Sequence, residues 1–242
     1  MAISRLRVIA GPNGSGKSTL FKTLQNEVQT GIWVNADDLL FTFNKLGFAE
    51  NIYLGFIPTK DSFFKFVNKK AATAFIQEFN LKNEVKEFQF GIYNVAFPKK
   101  KMTNECAALF ADYLRYMLTK LKISFTAETV FSHPSKLDLI KLAKANNFKT
   151  YLYFIATASP TINIGRISGR VSKGGHFVSD DKVRKRYENS IALISKHIKL
   201  FDRVFIFDNS ANTIDLIVSF YLGKLEKVYV EKIPDWVQNI LQ

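Results

Sequence analysis

Two hydrophobic patterns take turns along the chain. Short, nearly solid apolar runs are separated by stretches in which apolar residues recur every third or fourth position. The runs "LRVIA" (6–10), "GIWVNA" (31–36), "ISFTAET" (123–129), "KTYLYFIA" (149–156) and "DRVFIFDNS" (202–210) predict strands. Helices are predicted where Leu20, Leu24 and Val28 recur at i, i+4, i+8, and over "DDLLFTFNKL" (37–46), "LDLIKLAKAN" (137–146), "SPTINIGRISGRV" (159–171) and "SDDKVRKRYENSIALISKHI" (179–198). Ser159–Pro160 reads as a helix start, with serine at the cap and proline in the first turn; Ser179 before Asp180 and Asp181 reads as another. Strands alternating with helices call for an α/β fold, a mostly parallel sheet flanked by helices.

Between the second and third runs the alternation breaks. Residues 47–122 open with "GFAENIYLGFIPTKDSFFKF", which is aromatic and weakly periodic. "NKKAATAFIQEFNL" (68–81) and "NECAALFADYLRYMLTKL" (104–121) then read as helices. With no repeats and no low-complexity tail, the expectation is a single domain over 1–242 that carries a largely helical insertion at about 47–122.

Composition narrows the setting. At 47% hydrophobic residues a sizeable core is assured, yet no run approaches the roughly 18 apolar residues of a membrane span. The first residues show no secretory leader pattern. The lone Cys106 excludes an internal disulfide, and three scattered histidines argue against a zinc centre, so a cytoplasmic location is expected. The 34 Lys and Arg against 21 Asp and Glu give a net charge of +13, which favours nucleotides, nucleic acid, anionic lipid or an acidic protein as partners, or a merely lysine-solvated surface.

The first strand and first helix frame "GPNGSGKST" at 11–19, in which Gly11, Gly16, Lys17 and Ser18 satisfy G-x-x-x-x-G-K-[ST]. A strand–loop–helix turn of this kind aims backbone N–H groups and the positive end of a helix at one point, which suits an anion. Gly11, Pro12, Asn13, Gly14, Ser15, Gly16, Lys17, Ser18 and Thr19 are therefore expected to hold ATP, with Lys17 on the terminal phosphates and Ser18 on a bridging Mg2+. The fold class becomes a P-loop NTPase-type α/β sheet.

In such sheets ligands lie beyond the carboxyl ends of the strands. Asp37 follows the second strand, Glu128 and Thr129 close the third, and "DNS" at 208–210 follows the last. Asp37 suits the base that takes a proton from an acceptor hydroxyl, with helix capping as its other reading; Asp38 is an alternative cap. Glu128 and Thr129 suit acceptor contacts, Glu128 being equally readable as a strand-end surface residue. Asn209 is readable as an adenine or ribose contact or as part of a turn. "RISGRVSKGGHFVSDDKVRKRY" (166–187) puts Arg166 and Arg170 on one helix face, breaks at Gly174–Gly175 and resumes as a helix, the pattern of a closing lid over a triphosphate or of a solvated helix pair. His176 fits either a phosphate contact or a turn cap.

The order of these motifs resembles the zeta-toxin family of P-loop kinases. "GPNGSGKST", "NAD" (35–37), "ETVFS" (128–132), "RISGRVSKGGHFVS" (166–179), "RKRY" (184–187) and "DNS" (208–210) follow the family's pattern over the chain except much of 47–110. Val130 stands where the family has a second threonine, and Ser179 where it has proline. The resemblance implies ATP-dependent phosphorylation of a sugar hydroxyl on UDP-N-acetylglucosamine or a related nucleotide, a toxin role and an antitoxin protein as partner. It also implies Lys17 as the phosphate lysine, Asp37 as base, and Glu128 and Thr129 as acceptor contacts. Arg170, with Arg166, Arg184 or Arg186, becomes the phosphate clamp. Nucleic-acid binding or phosphorylation and a nucleotide-gated interaction protein are the competing classes. The first has "FFKFVNKK" and the charge behind it, but no readout module in the sequence.

Overall fold

The computed structural model describes residues 3–98, 101–172, 178–211 and 213–241. Two compact units divide the chain. One comprises Met1–Thr30 with Thr126–Gln242, and the other is Gly31–Phe125.

In chain order, the first unit opens with β1 (Arg5–Ala10) and α1 (Lys17–Glu27). The second unit holds β2 (Ile32–Val34), α2 (Ala36–Leu46), β3 (Phe48–Glu50), α3 (Asn51–Leu54), α4 (Lys60–Val67), α5 (Lys70–Glu78), α6 (Glu84–Glu87), β4 (Gln89–Phe90), β5 (Asn94–Ala96) and α7 (Asn104–Lys120). There follow β6 (Phe125–Thr129), α8 (Lys136–Ala145), β7 (Lys149–Ala156), α9 (Pro160–Val171), α10 (Asp180–His197), β8 (Arg203–Asp208), β9 (Asp215–Tyr221), β10 (Lys224–Val228) and α11 (Asp235–Leu241).

In the first unit the sheet runs β10-β9-β8-β7-β1-β6. β1 and β8 flank β7 in parallel, with Arg5 opposite Lys149 and Tyr151 opposite Arg203. The central strands are buried: Leu6, Val8, Ile9 and Ala10 of β1 and Leu152, Phe154, Ile155 and Ala156 of β7 are at most 1% exposed. Parallel strands covered on both faces must be apolar on both, which is why these segments read as solid runs rather than as alternations. The fold class expected from the sequence is therefore the one observed, α/β with a mostly parallel central sheet flanked by helices. Beyond residue 210 the structure adds what the sequence pattern left unassigned, an antiparallel strand β9, an edge strand β10 and the short helix α11. Among the described residues no helix is long and apolar enough to cross a membrane.

The second unit is built around α7. Its Leu109, Phe110, Tyr113, Leu114 and Leu118 are at most 2% exposed, and α2 and α4 pack on it. Phe63, Phe88, Phe110 and Tyr113 form a ring cluster with centroids 4.9–6.1 Å apart. This explains the weak periodicity of 47–66: a small sheet, β3-β5-β4, and short helices pack aromatic side chains whose spacing obeys neither period. Local chemistry starts the helices. Thr59 and Ser62 form a capping box at α4, and Thr103 caps α7 through the Cys106 amide at 3.1 Å. Burial pushes the Cys106 thiol up to about 12, with the Glu84 charge adding to it.

Candidate nucleotide site

The first unit positions the glycine-rich loop between the end of β1 at Ala10 and the start of α1 at Lys17. Gly14 and Gly16 have φ of 77° and 99°, where a side chain is strained. Space is also short. A Cβ on Gly14 would meet the Asn163 carbonyl at 2.6 Å, and one on Gly16 would collide with the Asn209 amide. Ser15 is fully buried, and its Oγ has no hydrogen-bond partner among the described residues.

Lys17 is only 8% exposed. Its Nζ donates to the Pro12 carbonyl at 3.0 Å and lies 3.9 Å from Glu128 Oε1. The Ser18 hydroxyl donates to Glu128 Oε2 at 3.2 Å. The carboxylate at the end of β6 therefore meets both side chains that follow the loop. Thr129 turns its hydroxyl to the Phe131 amide at 3.2 Å, so it also stabilises the turn after β6. Thr19 is exposed on the first turn of α1.

Helices α9 and α10 and the end of β8 reach the same loop. Arg186 Nη1 donates to Asn13 Oδ1 at 3.0 Å. Asn209 Nδ2 donates to the Ser15 carbonyl at 2.8 Å, while its backbone N–H is held by Ala156 O at 2.8 Å. Arg166 Nη2 donates to Ala211 O at 3.2 Å, and its Nη1 is buried without a partner among the described residues. Arg170 and Arg184 are exposed on α9 and α10. Gly174, Gly175 and His176 lie outside the described residues.

Beneath "DNS", Asp208 accepts from the Ser210 amide at 2.8 Å, from its hydroxyl at 2.9 Å and from the Trp236 indole at 2.6 Å. The Tyr187 hydroxyl donates to Thr157 O at 2.5 Å, and burial together with the Asp208 charge pushes it up to about 12, so it stays a donor at neutral pH. Thr157 in turn donates to Asn163 Oδ1. Asn163 escaped the sequence reading, although its signal is there: it lies on the apolar stripe of α9 four residues before Ile167, where a polar side chain needs a buried partner. Pro160 takes the first helical position as expected, while Ser159 and Ser179 sit at their caps without a side-chain bond.

Asp37 belongs to the second unit. The cap of α2 is neither of the adjacent aspartates but Asn35, whose Oδ1 accepts from the Asp37 amide at 2.7 Å and the Asp38 amide at 3.4 Å. Asp37 and Asp38 are both exposed in the first turn, and Trp33 Nε1 donates to Asp38 Oδ2 at 2.7 Å. Behind β2, Arg115 pairs with Asp112 at 2.6 Å and reaches the Val34 carbonyl at 3.4 Å.

These residues suit a phosphate chain and Mg2+. An unpartnered buried hydroxyl, two glycines that a methyl would clash with and a nearly buried ammonium line the loop, and Ser18 and Glu128 supply the hard oxygen donors Mg2+ takes.

No protein-family profile matches the chain. An uncharacterized protein of Haemophilus influenzae is 38% identical over 74 residues, which are 31% of this chain; the chain spans about half (53%) the length of that curated relative. Among solved structures, one from the PezAT chromosomal toxin–antitoxin system of Streptococcus pneumoniae superposes with a TM-score of 0.51 at 15% identity, over 88% of this chain and 72% of that one. A native AvrRxo1-ORF1:ORF2 complex gives 0.57 at 13% identity, over 99% of this chain and 64% of that one. A complex of the same pair with ATP gives 0.52 at 13%, covering 93% and 60%. At these identities the likeness is one of fold, and it is the fold that the motif order led us to expect.

Proposed function

We propose that the protein is an ATP-dependent phosphotransferase that moves the γ-phosphoryl to a hydroxyl of a small acceptor, with a nucleotide sugar such as UDP-N-acetylglucosamine as the leading class. The observation that carries this reading is the meeting of Lys17 and Ser18 on Glu128 at the mouth of the glycine loop. A lysine and a hydroxyl on adjacent residues, facing one carboxylate, form the set needed to bind terminal phosphates and the ion that bridges them.

Lys17 and the loop amides would hold the phosphate chain, and Ser18, with Glu128 beside it, would hold Mg2+. When bound, that ion supplies neutralisation of the charge on the transferred group. Asp37 is assigned the acceptor proton. As the acceptor oxygen bonds to the γ-phosphorus, its proton passes to that carboxylate and the bond to the ADP oxygen breaks. Arg166, Arg170, Arg184 and Arg186 are the arginines available to neutralise the phosphoryl in transit. Glu128, Thr129 and His176 remain assigned to acceptor contacts, and Asn209 to the nucleotide. The solved structures of similar fold include a toxin–antitoxin system and a two-protein complex with ATP, which supports a toxin role with a protein antitoxin as partner.

Phosphorus NMR of the protein with Mg-ATP and a panel of nucleotide sugars and dinucleotides tests the reading. ADP together with a phosphorylated acceptor supports it; ADP with free phosphate alone, across the whole panel, points instead to a hydrolytic switch.

A further inference from the structure

Two asparagines grip the glycine loop by its carbonyl groups. Asn163, fully buried on α9, donates through Nδ2 to the Asn13 carbonyl at 2.7 Å. Asn209, just past β8, donates through Nδ2 to the Ser15 carbonyl at 2.8 Å. The chain contains no cis peptide among the described residues. In a trans peptide plane the C=O and the following N–H point in opposite directions. Holding the Asn13 carbonyl toward α9 therefore turns the Gly14 N–H away from α9. Holding the Ser15 carbonyl toward Asn209 turns the Gly16 N–H away from that side chain. Neither glycine amide donates to another group among the described residues.

We infer that Asn163 and Asn209 are positioning residues that aim the Gly14 and Gly16 amides at the phosphate chain. The inference rests on the reading of 11–19 as a phosphate site; it gives Asn163 a role that involves no contact with nucleotide, and for Asn209, whose Nδ2 is already used on the Ser15 carbonyl, it replaces the direct nucleotide contact assigned above. The tethers are themselves braced. Thr157 donates to Asn163 Oδ1, so the amide of Asn163 is oriented with its nitrogen toward the loop. The Asn209 backbone is fixed by the Ala156 carbonyl. Gly14 and Gly16, which directly follow the two tethered carbonyls, have φ values of 77° and 99°, conformations that only glycine accepts freely. A loop whose amides already converge loses less conformational freedom on binding, which raises affinity without any new contact.

The test uses binding rather than turnover. Calorimetric titration compares ADP, inorganic pyrophosphate and adenosine on the wild type, Asn209→Ala, Asn209→Gln, Asn163→Ser and Lys17→Ala. Each tether loss is expected to weaken ADP and pyrophosphate by about tenfold while leaving adenosine unchanged. Asn209→Gln keeps an amide donor and should recover part of the loss. Amide NMR adds a signature that general destabilisation would not move: the downfield shift of the Gly14 and Gly16 resonances on adding ADP should shrink in Asn163→Ser and Asn209→Ala respectively. If Asn163→Ser melts below the working temperature, Asn209→Ala decides alone. Wild-type pyrophosphate affinity in the tether variants, with Lys17→Ala inert, overturns the inference; equal weakening of adenosine in Asn209→Ala does so too, by making it a base or ribose contact. If Lys17→Ala binds pyrophosphate normally, the phosphate-site reading itself fails.

Discussion

The indole of Trp33 holds Asp38, not Asp37, at 2.7 Å. Two carboxylates stand side by side in the first turn of α2, and their amides share one cap, Asn35. Only one of the two is engaged by the indole, which leaves the pair chemically unequal although the sequence presents them as equals.

The inequality yields the first prediction. Asp37→Asn should reduce phosphoryl transfer by at least about a hundredfold, the low end of what a general base contributes, with ATP affinity near normal. Asp38→Asn still offers an amide oxygen to the indole and should stay within about threefold of wild type, since exposed neutral exchanges cost little. Transfer assays by phosphorus NMR with calorimetry of ATP binding separate the two. Full turnover in Asp37→Asn refutes the assignment of the base.

Lys17 and Glu128 lend themselves to a paired test. Lys17→Ala removes a charge-assisted donor and leaves Glu128 without its 3.9 Å ion-pair partner, so ADP affinity should fall at least about tenfold. Glu128→Gln keeps the shape and can still accept from Ser18. It should spare ADP binding in the absence of metal and weaken the enhancement that Mg2+ brings, which titrations with and without the ion will read.

Asp202 gives a pH prediction. Burial alone would raise its carboxyl, but bonds from the Thr150 amide at 2.7 Å, the Lys144 ammonium at 3.0 Å and the Thr150 hydroxyl at 2.9 Å outweigh burial and hold it below the ordinary 3.8. With the folded value depressed, the unfolded chain binds the proton first. The stabilisation is therefore complete above the ordinary value and is lost as pH falls through the folded one. Asp202→Asn should lose about 1–3 kcal/mol at pH 7 and converge on wild type below that range. Urea denaturation at pH 7 and pH 2.5 checks it; a difference that persists unchanged in acid refutes the account.

The aromatic cluster of the second unit gives a stability prediction. Phe63 is fully buried, with Phe88 and Tyr113 at centroid distances of 5.0 and 5.1 Å. Phe63→Ala should cost about 3–5 kcal/mol in chemical denaturation, because close-packed rings cannot collapse into the void. A loss below about 1 kcal/mol would mean that the cluster repacks.

Cys106 should be inert in the native protein. Buried and with its thiol raised to about 12, it carries almost no thiolate at pH 8. Iodoacetamide monitored by mass spectrometry should label it only in denaturant.

How much was legible in the sequence depended on burial. The strand read over 149–156 is β7 residue for residue, because a strand apolar on both faces announces itself without any period. The glycine loop was legible because backbone geometry requires glycine at 14 and 16 whatever surrounds it. β10 was not, since every residue from Lys224 to Val228 is exposed and no face repeats. β3, β4 and β5 are two or three residues long, too short for an alternation to register. At the site, Lys17 and Ser18 stood out by spacing. Asn163 and Trp33 did not, because their importance lies in partners 150 and 5 residues away, which only the folded chain supplies.

The chain has two tryptophans, and they fall one to each unit, Trp33 in Gly31–Phe125 and Trp236 in the other. Their indoles face different carboxylates, Asp38 and Asp208, one exposed and one buried. Nature has thereby installed a separate intrinsic dye in each half, with distinct surroundings and thus distinct emission colours. Either half can be watched loosening, or tightening on a ligand, by light alone and without attaching any label.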